Sequence, residues 1–336
     1  MTVKAIIVVG ASAGGMAALK ELVAQLPERF AAAVFIVNHL SADATARVLV
    51  ETLDAKSANR CSEARDGEVF KAGRIYVAPS DHHLLLGKTK IMITKGAREN
   101  RSRPAIDSLF RSAAVAHGSK VIGVLLTGQL DDGTAGLVAI KRCGGTCVVQ
   151  DPKDAAYPAM PSNALQHAQI DHCVSLLEMG ALLSTLIEKA GRKRVPVPKD
   201  VLVEAKIAER VLSDLSSVEA LGDQVPFNCP GCGGVLWKIT KSKDARYRCH
   251  TGHSFTAPIL LAEQSAKIEE TLWVALRMFE ERRNLLSTIA RTNRGAQARS
   301  ASERAEESAI HIDRIRAMLT AGGTINDEGL TGVRAR

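Results

Sequence analysis

KAIIVVGASAGGM, residues 4–16, decides how the rest of the chain is read. Residues 5–9 are uncharged, apolar and mostly β-branched, the composition of a strand buried on both faces. A glycine-rich turn follows, and from Met16 the apolar positions recur with a helical period. Strand, tight turn and helix in that order open an α/β unit, because parallel strands need a crossover that is usually helical. The same stretch imitates an export signal, with Lys4 ahead of uncharged residues, but its apolar part is too short and too β-branched for one. Nowhere is there an apolar run of the ~18–20 residues that would span a bilayer.

Outward from that turn, short apolar runs alternate with helical periods to about residue 190. Strands are expected at 5–9, 33–38, 74–78, 91–94, 121–127 and 146–150, and helices near 16–26, 44–53, 105–116 and 134–143. Turn residues between 64 and 95 suggest an antiparallel hairpin at one edge of the sheet. The expected fold is a doubly wound, mostly parallel α/β sheet with an antiparallel edge hairpin, followed by a small zinc-ribbon and an α-helical C-terminal region. Its segments are 1–190 (the α/β domain), 191–226 (linker and helix), 227–256 (zinc-ribbon-like) and 257–336 (helical hairpin tail). The linker is GRKRVPVPKD at 191–200, whose prolines and charges read as extended chain. In the tail, Ile268, Leu272, Ala275, Phe279, Leu286 and Ile289 form a near-heptad stripe, continued by Ile310, Ile315 and Met318, around a break at NRGAQARS.

Composition narrows the function classes. The 336 residues carry a net charge of +8, but the basic residues gather in Arg192, Lys193, Arg194, Lys199 and the last third, which suits a linker and tail more than a nucleic-acid groove. Aromatic residues are 4% of the chain, too few for single-strand stacking platforms. No nucleic-acid partner and no membrane insertion are expected. With no export signal, the seven cysteines belong in a reducing cytoplasm, where close pairs favour metal over disulfide.

Three readings compete for GASAGG at 10–15. A dinucleotide loop is disfavoured, since Ser12 replaces the second glycine and the second strand ends in Asn38-His39 rather than an acid. A nucleophile elbow fits Gly10-Ala11-Ser12-Ala13-Gly14 in its strand–turn–helix setting. A plain capped turn is the third. His39, at the end of the second strand, and Asp131-Asp132, after the strand that begins at 121, fall at the same sheet edge. A hydroxyl, an imidazole and a carboxylate there supply nucleophile, base and orienting anion for acyl transfer. Taken singly, each is also explained as a polar strand end or a helix cap.

GASAGG at 10–15, NHL at 38–40, RPAIDSLF at 103–110, LTGQLDDGTAG at 126–136 and AYPAMPSNA at 156–164 together resemble the catalytic domain of CheB, the bacterial chemotaxis protein-glutamate methylesterase, over roughly residues 3–188. The resemblance implies Ser12 as nucleophile, His39 as base and Asp132 as orienting acid, with Asp131 at a variable position. It assigns Ala13, Gln129 and Met160 to the oxyanion and substrate loops, needs no cofactor for catalysis, and implies methylated chemoreceptors and other chemosensory proteins as partners. Glutamine deamidation is a further activity of that family. Gln129-Leu130 stands where the family has Met-Gly, which motivates a rival reading as a catalytically weak signalling scaffold. Family members often carry a phosphoacceptor receiver domain ahead of this domain; none is expected here, so residues 201–336 are expected either to dock a partner or to cover part of the Ser12 edge of the sheet.

Cys229-Pro-Gly-Cys232, sixteen residues, then Cys249-His250-Thr-Gly-His253 is a second constellation. Two close ligand pairs at that spacing suit tetrahedral zinc. The set expected is Cys229, Cys232, Cys249 and His253, with His250 as a substitute or supporting residue, and the zinc is expected to be structural because protein fills all four positions. Buried free thiols are the alternative. A ribbon of this kind accompanies some CheB-like domains, which fits a docking or regulatory role.

Overall fold

The first strand, β1 (Ala5–Ala11), is buried along its whole length, and its side chains alternate between two cores. Ile6 and Val8 face one, Ile7 and Val9 the other. That is the arrangement its uncharged β-branched sequence requires, since a central strand meets no water on either side. The computed structural model describes residues 2–28, 30–39, 46–191, 195–209, 215–240 and 245–321. Leu40, Arg192, Lys193, Arg194, Lys241 and Lys243 lie outside these.

After β1 come α1 (Gly15–Ala24), β2 (Ala32–Asn38), α2 (Ala46–Asp54), β3 (Arg60–Glu63), β4 (Arg74–Val77), β5 (His83–Leu86), β6 (Ile91–Thr94) and α3 (Ile106–His117). The domain continues with β7 (Val121–Leu125), α4 (Thr134–Arg142), β8 (Thr146–Gln150), α5 (Ala159–His167), β9 (His172–Val174) and α6 (Leu176–Lys189). Seven strands form one parallel sheet in the order β3-β4-β2-β1-β7-β8-β9. The chain builds outward from β1 on one side, then returns to add β7 on the other. The carboxyl ends of β1 and β7 therefore flank a topological switch point, where ligands bind in such sheets.

Helices cover both faces, as a doubly wound sheet requires. The expected antiparallel hairpin is β5–β6, pairing His83 with Thr94 through Leu86 with Ile91, and it forms its own two-stranded sheet. Arg74–Val77, read with it as part of an edge, is instead inside the parallel sheet between β3 and β2. Strand propensity was plain in RIYV; the partner it selects is a tertiary choice.

Residues up to Leu260 form one unit. It includes α7 (Lys199–Glu209), α8 (Leu215–Glu219) and a four-stranded antiparallel sheet in sequence order, β10 (Gly222–Asn228), β11 (Val235–Ile239), β12 (Arg246–Cys249) and β13 (Ser254–Thr256). Val201 of α7 joins the core beneath β1, and Ile207 packs with Val218, Leu221, Trp237 and Ile239. Arg142 of α4 grips Asp200 through two bonds of 2.6 and 2.9 Å.

Between α3 and the four-stranded sheet lies a buried cluster of three arginines and two glutamates. Arg111 forks onto Glu99 at 3.0 and 3.3 Å, Arg246 reaches Glu204 at 2.8 Å, and Arg248 reaches Glu99 at 3.0 Å. Burial alone would raise the Glu204 carboxyl, but the Arg246, Arg111 and Arg248 guanidiniums outweigh it and hold it at about 2. The same opposition leaves Glu99 well below the carboxylate range.

The second unit begins at Leu261. Most of α9 (Ala257–Thr292) and all of α10 (Ala296–Ala321) belong to it, with the break at residues 293–295 where Gly295 takes a φ of +70°. Leu276 packs with Ile312 and Ile315, and Leu286 with Ala301 and Ala305. Ile268, Ile310 and Met318 from the expected stripe are exposed, so the apolar seam is narrower than the sequence suggested.

Glu204→Gln should destabilise the first unit by about 3–5 kcal/mol, the usual cost of leaving buried charge uncompensated. The glutamate's contribution is present above about pH 4.3, where it ionises when unfolded, and is lost as the pH falls toward about 2. Urea denaturation of the full chain at neutral pH checks the first statement; a loss under about 1 kcal/mol, the exposed-pair range, would contradict it.

Candidate functional site

Two backbone bonds bring the strand ends together. The Ser12 N–H donates to the Thr127 carbonyl beyond β7 at 3.0 Å, and the His39 N–H donates to the Ala11 carbonyl at 3.1 Å. Beyond β1, Gly14 turns at a φ of +75° and α1 begins. Ser12 thus sits at a helix N-terminus, where free N–H groups favour negative charge.

The three predicted side chains form a chain of contacts. His39 Nδ1 lies 3.2 Å from Ser12 Oγ, and Nε2 lies 2.8 Å from Asp132 Oδ2. With the ring proton on Nε2, donated to the carboxylate, Nδ1 is free to accept from the serine hydroxyl. His39 remains partly exposed, whereas Asp132 is buried. Asp131, the other acid of the pair, does not meet His39. It is buried, its Oδ1 has no hydrogen-bond partner among the described residues, and burial pushes its carboxyl up.

Asp132 is held from behind by α3. Ile106 N–H donates to Oδ2 at 2.8 Å, while Asp107 N–H and Gly133 N–H donate to Oδ1 at 3.1 and 3.0 Å. The Asn100 amide adds a longer contact of 3.4 Å to Oδ1 and one of 3.1 Å to Asp107 Oδ2. Asp107 Oδ1 in turn accepts from Gly133 and Gly136 at 3.0 and 2.6 Å. Sequence reasoning missed Asn100 and Asp107. Asp107 carried a signal, an acid in the first turn of a helix just after a proline; Asn100 carried none.

The loop after β7 is packed with little tolerance. A Cβ on Gly128 would stand 2.5 Å from Met160 Cε and 2.9 Å from Ser12 Cβ, so only glycine lets Met160 and Ser12 flank it. Met160 is fully buried and donates its N–H to the Gly128 carbonyl at 3.0 Å. Leu130 takes a φ of +64° and is exposed. The loop therefore keeps a left-handed turn with leucine, at a cost of about 1–2 kcal/mol relative to an unstrained residue. Neither Ala13 nor Gln129 donates its N–H to another group among the described residues. A cavity of about 320 Å³ lies behind Asp131, lined by Asp107, Arg142, Asp200, Glu204 and Arg246 among others; Ser12 and His39 are not in its wall.

In the four-stranded sheet, the ligand atoms of Cys229, Cys232, Cys249 and His253 lie within 4.8 Å of one another. Cys232 and Cys249 Sγ are 3.7 Å apart, and Cys249 Sγ is 3.5 Å from His253 Nδ1. Tetrahedral zinc with bonds of about 2.3 Å to sulfur and about 2.0 Å to nitrogen would set ligand separations of this size. The residues fit such an ion. His250 is not in the cluster; its ring packs over Gly234, where a Cβ would come within 2.7 Å.

Comparison with known proteins follows the same division. The profile of the CheB methylesterase family matches residues 7–183. A putative protein-glutamate methylesterase/protein-glutamine glutaminase of Leptospira interrogans is 40% identical over 184 residues, 54% of this chain and 93% of the relative. A protein-glutamate methylesterase/protein-glutamine glutaminase of Bordetella bronchiseptica is 36% identical over 193 residues, and there the match spans 55% of the relative, about half its length. The crystal structure of the Thermotoga maritima CheB methylesterase catalytic domain superposes with a TM-score of 0.52 at 33% identity, covering 55% of this chain and 98% of that one.

Burial, and then the Asp132 charge beside it, push the Asp107 carboxyl up to about 7. The folded chain thus holds this proton more tightly than the unfolded chain, whose aspartates ionise near about 3.9, and stability falls as the pH rises from about 4 to about 7. Asp107→Asn removes that titration. Whatever its offset, the stability difference between variant and wild type should move in the variant's favour across this window; urea midpoints at about pH 5 and about pH 7.5 check it, and a constant difference would contradict it.

Proposed function

The chain belongs to the CheB methylesterase family, and on that footing we propose that it hydrolyses glutamate γ-methyl esters of chemoreceptors in the cytoplasm through Ser12, His39 and Asp132, with glutamine deamidation as a second activity. One observation carries the assignment of residues: the unbroken path from Ser12 Oγ through the His39 ring to Asp132 at 3.2 and 2.8 Å. No helix among the described residues is long and apolar enough to cross a membrane.

In this reading Ser12 Oγ attacks the ester carbonyl while His39 Nδ1 takes its proton. Asp132 stays ionised and stabilises the imidazolium that forms. The N–H groups of Ala13 and Gln129 receive the oxyanion, and their lack of other acceptors supports that role. Collapse of the tetrahedral intermediate breaks the carbonyl–methoxy bond, and His39 returns its proton to the leaving oxygen to give methanol. Water then adds to the acyl-enzyme with His39 again as base, and the glutamate carboxylate leaves Ser12. Met160 holds the Gly128 turn that supports the serine.

Cys229, Cys232, Cys249 and His253 are proposed to hold one structural zinc. When bound, the ion would supply a cross-link between the two ligand turns, and with four protein ligands it leaves no position for an activated water.

Ser12→Ala should lower methanol release from methylated receptor by roughly 10⁴–10⁶-fold, as loss of a triad nucleophile does elsewhere; a near-native rate would refute the assignment. Elemental analysis of the full chain should find about one zinc per molecule, and chelation should remove protection of β10–β13 amides from hydrogen exchange, since small metal modules fold with their ion. Amides that stay protected in the metal-free chain would refute the structural role.

A further inference from the structure

Residues 97–103, between β6 and α3, hold an unusual pair. Asn100 and Arg101 take φ values of +49° and +67°, and neither is glycine. Asparagine tolerates that region, but arginine does not favour it, so two such residues in succession persist only where their surroundings over-determine them. The surroundings here belong to the four-stranded sheet. Asn100 N–H donates to the Ser254 carbonyl at 2.9 Å, and Ser254 N–H donates to the Arg98 carbonyl at 3.4 Å. Glu99 is buried, accepts from Arg111 at 3.0 Å and forms an ion pair with Arg248 at 3.0 Å that is not a hydrogen bond. A Cβ on Gly252, itself at φ +102°, would touch Ala97 Cβ at 3.5 Å.

Both residues that grip this segment sit beside a metal ligand in sequence. Arg248 precedes Cys249, and Ser254 follows His253. Arg248 also donates to the Gly252 carbonyl at 3.0 Å, within the turn that carries both ligands. At the far end of the segment, the Asn100 amide bridges the carboxylates of Asp107 and Asp132. It is a side-chain donor set between two neighbouring acids whose charges repel. The Gly133 N–H also reaches both acids, at 3.0 Å to each, so without Asn100 the pair keeps its backbone donors and loses the one side-chain donor that reaches both among the described residues.

We propose that Asn100 is a positioning residue for the Asp132 carboxylate, and that the metal-holding turn of residues 249–253 fixes it in place through Ser254 and Arg248, so that the four-stranded sheet completes the esterase site. The proposal rests on the reading of Asp132 as the acid that orients His39. Loss of the ion loosens the turn, Ser254 and Arg248 release the 98–101 segment, and the left-handed pair relaxes. The Asn100 amide then leaves the two acids, and Asp132 is no longer aligned with His39 Nε2.

The test compares wild type, Asn100→Gly and Asn100→Asp in the full chain, each metal-loaded and chelated. Glycine accepts the positive φ, so Asn100→Gly removes the amide without backbone strain, while Asn100→Asp keeps the shape and removes the donor. The readouts are kcat and KM for methyl-ester hydrolysis, and the rate at which a fluorophosphonate labels Ser12. Both loaded variants should lose roughly tenfold to a hundredfold in kcat and labelling, the cost of a small misplacement of a catalytic group, with KM unchanged. Chelation should lower wild-type labelling by a similar factor yet lower that of Asn100→Gly by less than about twofold further, because two changes on one path do not add. Losses that multiply, or a loaded Asn100→Gly as fast as wild type, overturn the strut while leaving the serine assignment intact. A wild-type chain whose Ser12 does not label overturns both.

Discussion

Four N–H donors and one imidazole converge on the carboxylate of Asp132, and the serine end of the molecule depends on that arrangement. Ile106, Asp107 and Gly133 donate from the backbone, Asn100 from its side chain, and His39 Nε2 meets Oδ2 at 2.8 Å. Hydrogen bonds reach both oxygens of this buried carboxylate, as buried polar groups require. Three of the donors come from the start of α3, which packs on β1, or the turn before α4, which packs on α3 and β7. The packing of α3 that builds the core under Ile6 and Val8 therefore also places the carboxylate that meets the imidazole.

That constraint explains why the segment after residue 190 is built into the first unit. Among the described residues the carboxylate's neighbour Asp107 has no basic partner at hydrogen-bond distance, and Glu99, Glu204 and three arginines lie further out. Two of those arginines, Arg246 and Arg248, are on β12, and Glu204 is on α7. The Pro-containing stretch at 191–200 reads as a linker, and its composition is that of one, but composition says nothing about where the chain beyond it docks. Residues 201–260 make their contacts on Glu99, Asn100 and Arg111 behind Asp132.

The sequence was most informative where chemistry and local period coincide. β1, its turn and α1 follow from the β-branched run and the glycines, and the cluster of possible metal ligands follows from spacing: the four atoms lie within 4.8 Å, with His250 outside. Asp132 rather than Asp131 came only from likeness to a family, since either acid satisfied the local pattern. The hairpin was anticipated and its placement was not, because pairing partners in a sheet are set by packing of both faces. Asn100 and Glu99 were invisible for a related reason. Their partners Ser254 and Arg248 lie about 150 residues away, and no periodicity records such a contact.

The central claim is that Ser12 is the nucleophile of an acyl-transfer site whose oxyanion partners are the Ala13 and Gln129 N–H groups. A crystal structure of the full chain after reaction with a fluorophosphonate tests it most directly, because the adduct imitates the tetrahedral intermediate. The account predicts phosphorus bonded to Ser12 Oγ, a phosphoryl oxygen within about 3 Å of both N–H groups, and His39 still bridging Ser12 and Asp132. An adduct on another residue, or a phosphoryl oxygen turned away from Ala13 and Gln129, would contradict it.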